Sequence, residues 1–184
     1  MSTVLYWRRT DVEGLERLEL TAGADGVTVS GTVVCLEDGG FRLDHTWSLD
    51  AGWRTRWVDV EVHGRRTRGT LRLERTENGW LVDGAPRPDL DDAEEPDLSV
   101  TPFCNTLPVR RMHAGASLTL DTAYIDGPAL TVAPSRQRYE PVAPGRVRYV
   151  DLGLFHGFEA ELTVDDKGLV VSYEHLFERV EPAP

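Results

Sequence analysis

The property that most constrains this chain is two-residue alternation of apolar and polar side chains. Across 27–35, Val27, Val29, Val33 and Cys35 share one parity, and Thr28, Ser30 and Thr32 the other. Across 41–49, Phe41, Leu43, Trp47 and Leu49 alternate with Arg42, Asp44, Thr46 and Ser48. Across 158–164, Phe158, Ala160, Leu162 and Val164 alternate with Glu159, Glu161 and Thr163. Successive side chains of a strand point to opposite faces, so this period demands strands with one buried and one wet face. Weaker alternation at 68–75, 118–125, 146–152 and 169–173 predicts further strands, and Met1 to Thr10 reads as a strand from the start. Between the runs lie Asp25-Gly26, Asp38-Gly39-Gly40, Asn78-Gly79 and Asp165-Asp166-Lys167-Gly168. These residues tolerate the positive φ of tight hairpins. The expectation is a mainly β protein. Many strands with tight turns predict an antiparallel meander whose sheet coils around a core or cavity, in one domain over 1–184.

Length and charge bound the function. A chain of 184 residues, 40% apolar and 28% charged, can bury a real core. Its net charge of −11 opposes binding to a nucleic-acid backbone or an anionic membrane. The pairs Arg8-Arg9, Arg65-Arg66 and Arg110-Arg111 are too short to reverse that. Cys35 and Cys104 read as buried free thiols rather than a disulfide or zinc framework. The N-terminus has no signal-peptide pattern and no run has transmembrane length, so the expected location is the cytoplasm.

Three segments suggest chemistry. In 53–63, Val58, Val60 and Val62 share one face, while Trp53, Trp57, Asp59, Glu61 and His63 share the other. An aromatic and acidic face suits a sugar, because rings stack on C–H faces and carboxylates accept hydroxyl hydrogen bonds. The alternative is a solvated outer face. The meander breaks at 84–105, where Pro86, Pro88, Pro96 and Pro102 join seven carboxylates counted from Asp83 to Asp97. A long connection of this kind is either functional or a solvated acidic loop. As an EF-hand it fails, since Glu94 stands where the sixth-position glycine belongs if Asp89 is first. A short helix is expected near 106–113, capped by Asn105 or Thr106, with Pro108 in its first turn and Gly115 after its end. Arginines near a helix start oppose its dipole. Arg110 and Arg111 therefore need acidic partners, with Asp89 and Asp97 as candidates, or an anionic head group. The five histidines show no metal-ligand spacing, and no nucleophile motif is present. His156, between Phe155 and Gly157, is the foremost catalytic candidate, against a plain turn histidine.

The stretch Thr101-Pro102-Phe103-Cys104-Asn105-Thr106-Leu107-Pro108-Val109-Arg110-Arg111, preceded by Pro88-Asp89-Leu90 and Asp97-Leu98, resembles the signature of a bacterial glycolipid-binding family of formerly unknown function. Trp7-Arg8 with Gly14-Leu15-Glu16, Gly79-Trp80, Tyr124-Ile125, and Val164-Asp165 to Gly168-Leu169-Val170 are similar as well, so the resemblance spans the chain. It implies one long coiled antiparallel sheet, an incomplete or spiral β-barrel or roll with little helix, and a binder of a glycolipid or lipid-linked sugar. With no nucleophile motif and no metal-ligand spacing in the residues, a binder is expected rather than an enzyme, without cofactor or metal. An acyl part would lie against Val29, Leu43, Trp47, Phe158 and Leu162. The head group would meet Asn105, Arg110, Arg111, Trp57 and Asp59, with Trp47 alongside. An enzyme acting on a small sugar or carbonyl compound in the same cavity would instead need a histidine–carboxylate pair there. A ligand-free interaction protein would have its interior filled by side chains.

Overall fold

The computed structural model describes residues 2–113 and 115–182. The first half of the chain forms β1 (Ser2–Arg9), β2 (Gly14–Gly23), β3 (Gly26–Cys35), β4 (Phe41–Leu49), β5 (Thr55–Gly64), β6 (Arg68–Thr76), β7 (Gly79–Val82) and β8 (Ala85–Pro86). The second half forms β9 (Ala93–Leu98), helix α1 (Phe103–Arg111), β10 (Leu118–Asp126), β11 (Thr131–Ala143), β12 (Arg146–Asp151), β13 (Glu159–Val164), β14 (Val170–Tyr173) and β15 (Phe177–Arg179). All fifteen strands join one unclosed sheet in the order β8-β7-β6-β5-β4-β3-β2-β1-β15-β14-β13-β12-β11-β10-β9. The alternating runs at 27–35 and 41–49 become β3 and β4, paired antiparallel from Val27↔Leu49 to Cys35↔Phe41. The hairpin at 25–26 turns on Gly26 at φ 140°, a conformation that a side chain would strain.

The two ends of the chain meet in the middle of the sheet, where Trp7 pairs with Arg179 and Arg9 with Phe177. Its edges are therefore β8 and β9, neighbours in sequence joined by 87–92. The sheet rolls until these edges approach, and side chains span the seam. Trp80 Nε1 donates to the Ala93 carbonyl at 2.8 Å, the Thr55 backbone N–H donates to Glu95 Oε2 at 3.1 Å, and Arg75 donates to the carbonyls of Thr55 and Glu94. Unpaired edge backbone is a hazard that proteins cover or blunt. Here the rolled sheet covers its own edge.

The segment 84–105 is therefore not simply a loop. Ala93–Leu98 is a strand, hidden from sequence by its charge and Pro96, and it pairs in parallel with β10 through Thr122↔Glu95 and Tyr124↔Asp97. A parallel pair requires a crossover, which explains why a β protein of this kind carries a helix at all. The helix spans Phe103–Arg111, earlier than the expected 106–113. Asn105 and Thr106 do not cap it but lie buried inside it, and the Phe103 N–H is met by Thr101 Oγ1 at 3.2 Å. Pro108 falls past the first turn, and Arg110 and Arg111 occupy the last turn, where cations complement the dipole instead of opposing it. The shift arises because Phe103 and Leu107, one turn apart, both bury fully against the sheet.

Side chains fill most of the roll. Trp7, Leu18, Val29, Leu43, Trp47, Val58, Leu73 and Leu162 have no accessible surface. Phe103 meets the Trp47 ring edge-on at 5.6 Å between centroids. Val29, Leu43, Trp47 and Leu162 thus belong to the packed core rather than to a cavity wall. Among the described residues, no helix is long and apolar enough to cross a membrane.

One close approach in the core is set by glycine. Gly31 lies between Leu18 and His45 in the ladder, and the His45 ring crosses over it to reach Glu16 Oε1 at 2.8 Å. A Cβ at Gly31 would stand 2.1 Å from His45 Nε2 and 2.9 Å from Glu16 Oε1. Gly31→Ala is expected to lower stability by about 1–3 kcal/mol. Gly23→Ala, whose added carbon meets nothing closer than 3.9 Å, should be close to neutral in the same denaturant titration.

Candidate functional site

The packing leaves a cavity of about 280 Å³ between the start of α1, strands β9, β10, β12 and β14, and the loop 152–158. Tyr124, Tyr149, Phe155, Phe158, Tyr173 and Phe177 wall it. These rings pack on one another. Tyr149 lies 6.1 Å from Phe158 and 5.7 Å from Tyr173, Tyr173 lies 6.2 Å from Phe177, and Tyr124 meets Phe155 at 5.3 Å. Tyr149 pairs with Ala160 and Tyr173 with Leu162, two residues apart on β13, which places both tyrosines on one face.

Polar groups enter this wall at Asp97, Cys104, Asn105 and Asp151. Asp97 stands on edge strand β9, and the surface it keeps belongs to the cavity lining. Cys104 Sγ donates to its Oδ1 at 2.9 Å, and Gln137 Nε2 donates to its Oδ2. The chain of bonds continues among buried groups. Tyr139 OH donates to Gln137 Oε1 at 3.0 Å, and Asn105 Nδ2 donates to Tyr139 OH at 2.9 Å. Asp151 ties down the loop, its Oδ1 accepting from the N–H of Gly153 at 2.8 Å and of Phe155 at 3.0 Å, while Tyr149 OH donates to its Oδ2 at 3.2 Å.

Burial sets the protonation states. It pushes the Asp97 carboxyl above its ordinary value, the bonds from Cys104 and Gln137 pull it back, and the Asp151 charge pushes it further up. Burial and the Asp97 charge raise the Cys104 thiol well above its usual range, so it remains a donor and not a nucleophilic thiolate. The same two causes hold Tyr139, Tyr149 and Tyr173 protonated and push Tyr124 up to about 12. The site is thus an aromatic enclosure with carboxylate acceptors and firmly protonated hydroxyls.

Of the six residues singled out from sequence, Asn105 lines this cavity. Trp47 is core. The guanidinium of Arg110 lies 3.9 Å from the centroid of Trp53, itself held at φ 64°, and donates to the Lys167 carbonyl. Arg111 is ion-paired with Glu94 and lies 3.8 Å from Glu95 Oε1. The arginine partners are therefore Glu94 and a carbonyl, not Asp89, which pairs with Arg87 at 2.7 Å, nor Asp97. Trp57 and Asp59 lie on the outer face under Arg72, whose guanidinium covers the Trp57 ring at 4.5 Å and meets both Asp59 oxygens at 2.9 and 2.8 Å. His156 is exposed on the loop.

A histidine–carboxylate pair does exist, unforeseen from the sequence, but in the core. The Trp47 indole N–H can only donate, and at 2.9 Å it donates to His45 Nδ1. His45 Nε2 therefore carries the proton toward Glu16 Oε1. Both residues are about 2% exposed and neither lines the cavity. The available signal was parity, since His45 shares the inward register of Leu43 and Trp47. The acidic run is likewise divided rather than solvated as a whole: Glu95 is buried at the seam, and its carboxyl is raised by that burial despite the pull of Thr55, Arg75 and Arg111. Among the described residues, no three His, Cys, Asp or Glu side chains gather to hold a metal ion. Cys35 and Cys104 are both free and buried.

Fold and site together define a rolled, unclosed β-sheet that encloses an aromatic cavity. The chain belongs to the family described as Putative glycolipid-binding, which matches residues 4–179. The crystal structure of a DUF1089 family protein from Pseudomonas aeruginosa is similar, with a TM-score of 0.78 and 28% identity over 90% of this chain and 92% of that one. None of the curated proteins matches the chain.

Tyr139 is the hub of the polar floor. Tyr139→Phe removes the acceptor of Asn105 and the donor to Gln137, and it should cost about 1–3 kcal/mol in equilibrium unfolding. A loss within error of zero would mean that water replaces the hydroxyl.

Proposed function

We propose that this protein binds an amphipathic small molecule and takes its sugar-like head group into the aromatic cavity. The observation that carries this reading is the composition of the wall, in which six aromatic side chains surround the carboxylates of Asp97 and Asp151. Aromatic faces pack against the C–H faces of a sugar ring, and carboxylates accept from its hydroxyls. Asn105 adds an amide at the edge. The family's description is consistent with such a ligand.

Size decides which part of the ligand enters. Drug-sized ligands occupy pockets of roughly 300–1,000 Å³. A cavity of about 280 Å³ takes a head group, while the interior that would shelter an acyl chain is occupied by Trp47, Leu43 and Phe103. An apolar tail would leave past Leu154 and Phe155, which are 48% and 53% exposed at the loop. Binding without turnover is favoured because the His45–Glu16 pair is sealed in the core and the Cys104 thiol is held protonated. Arg110 and Arg111 support the frame, on this reading, by fastening α1 to the turn at 165–168 and to β9.

Native mass spectrometry of protein purified without detergent, followed by solvent extraction, tests the proposal. The expected result is a discrete adduct that disappears in Leu176→Trp, which fills the cavity, and persists in Arg111→Ala. An adduct lost with Arg111→Ala but kept with Leu176→Trp would move the site to the helix end. Failure of octyl β-glucoside to bind the stripped protein by calorimetry would count against the cavity as a sugar site.

A further inference from the structure

We propose that the cavity selects a head group that carries a positive charge, an ammonium or protonated amine. This rests on the binding reading above and specifies the ligand's chemistry.

Three observations lead to it. First, the charged residues lining the cavity are Asp97 and Asp151, and among its described lining residues none is Lys, Arg or His. The guanidinium of Arg9 lies 5.3 Å from the Phe177 ring, but Asp11 takes it at 2.5 Å and it is not part of the lining. Second, the polar hydrogens nearest the two carboxylates are already committed. Tyr149 OH serves Asp151, Cys104 and Gln137 serve Asp97, and Asn105 Nδ2 serves Tyr139. The other lining hydroxyls, of Ser99, Thr101, Tyr124 and Tyr173, are neutral, so a sulfate or phosphate would meet two carboxylates with no cation to neutralise it. Third, the rings of Tyr149, Phe158, Tyr173 and Phe177 form a continuous cluster with neighbouring centroids 5.7 to 6.4 Å apart. Packed aromatic faces around a space are how proteins hold alkylammonium groups, through attraction of the cation to the ring quadrupoles.

The electrostatics agree on two scales. An enclosed carboxylate such as Asp97 is costly because water is replaced by protein, and a ligand cation beside it offsets that cost. At longer range, a net charge of −11 draws cations toward the molecule and repels anions. A neutral sugar ring would use the acceptors and the apolar wall but neither source of charge selectivity.

The test is calorimetry at pH 6 on stripped wild-type protein with probes of equal tail length: octyl β-glucoside, octyl β-glucosaminide and octyltrimethylammonium. The first two differ in one hydroxyl replaced by an ammonium. Binding of the glucosaminide at least about tenfold tighter than the glucoside is expected. The advantage should shrink in Asp97→Asn and, should that variant fail to fold, in Asp151→Asn. Tight octyltrimethylammonium binding would identify the cation alone as the recognised element, and its absence beside a bound glucosaminide would identify an aminated ring. Equal affinity for glucoside and glucosaminide would overturn the charge inference and leave the cavity reading intact. If none of the three binds, both fall together.

Discussion

The ladder between β1 and β15 governs the rest of the structure. Trp7↔Arg179 and Arg9↔Phe177 join the chain's two ends in the middle of the sheet. Trp7 anchors the join, its indole N–H donating to the Val170 carbonyl at 3.0 Å, while Arg179 reaches the same carbonyl and Asp165. With the first and last strands inside the sheet, its free edges fall at β8 and β9. Rolling then brings acidic β9 beside β5, and its carboxylates must be paired or enclosed. Glu94 and Glu95 meet Arg111, Arg75 and the Thr55 backbone N–H, while Asp97 passes into the cavity.

The cavity follows from the same geometry. β9 and β10 run parallel, so the chain between them must cross over, and α1 enters the roll to do so. Phe103 and Leu107 plug the part of the interior that faces Trp47. What stays open lies toward β12 and β14, whose inward residues include Tyr149 and Tyr173. The rings there pack on one another in tilted and edge-on pairs, and the cavity lies beside them.

Two buried polar systems follow opposite rules. The Glu16–His45–Trp47 chain is sealed and needs Gly31 to make room for it, consistent with fixing the register of β2, β3 and β4. The Asp97–Gln137–Tyr139–Asn105 chain borders open space and leaves carboxylate faces available there. The first is enclosed on all sides by the core, and the second presents acceptors to the cavity that the proposed ligand would enter.

Alternation in the sequence determined the β class, the strands at 27–35 and 41–49, the turns between them and the burial of Cys35, because period two is a local property and burial follows parity. The block from Asn105 to Arg111 marked the family and the presence of a helix. Tertiary structure alone decided what those residues do. Arg110 and Arg111 were legible as charges in want of partners, but whether the partner is ligand or protein depends on where the turn at 165–168 and β9 lie, and the pairing of β9 with β10 spans a crossover that no local pattern encodes. Trp57 and Asp59 had the composition of a sugar site yet fell on the outer face beneath Arg72. Asp97, Tyr149, Asp151 and Tyr173 are far apart in sequence and become a site only when the sheet rolls. Parity assigns a side chain to a face, and only curvature determines which side chains on that face surround the same space.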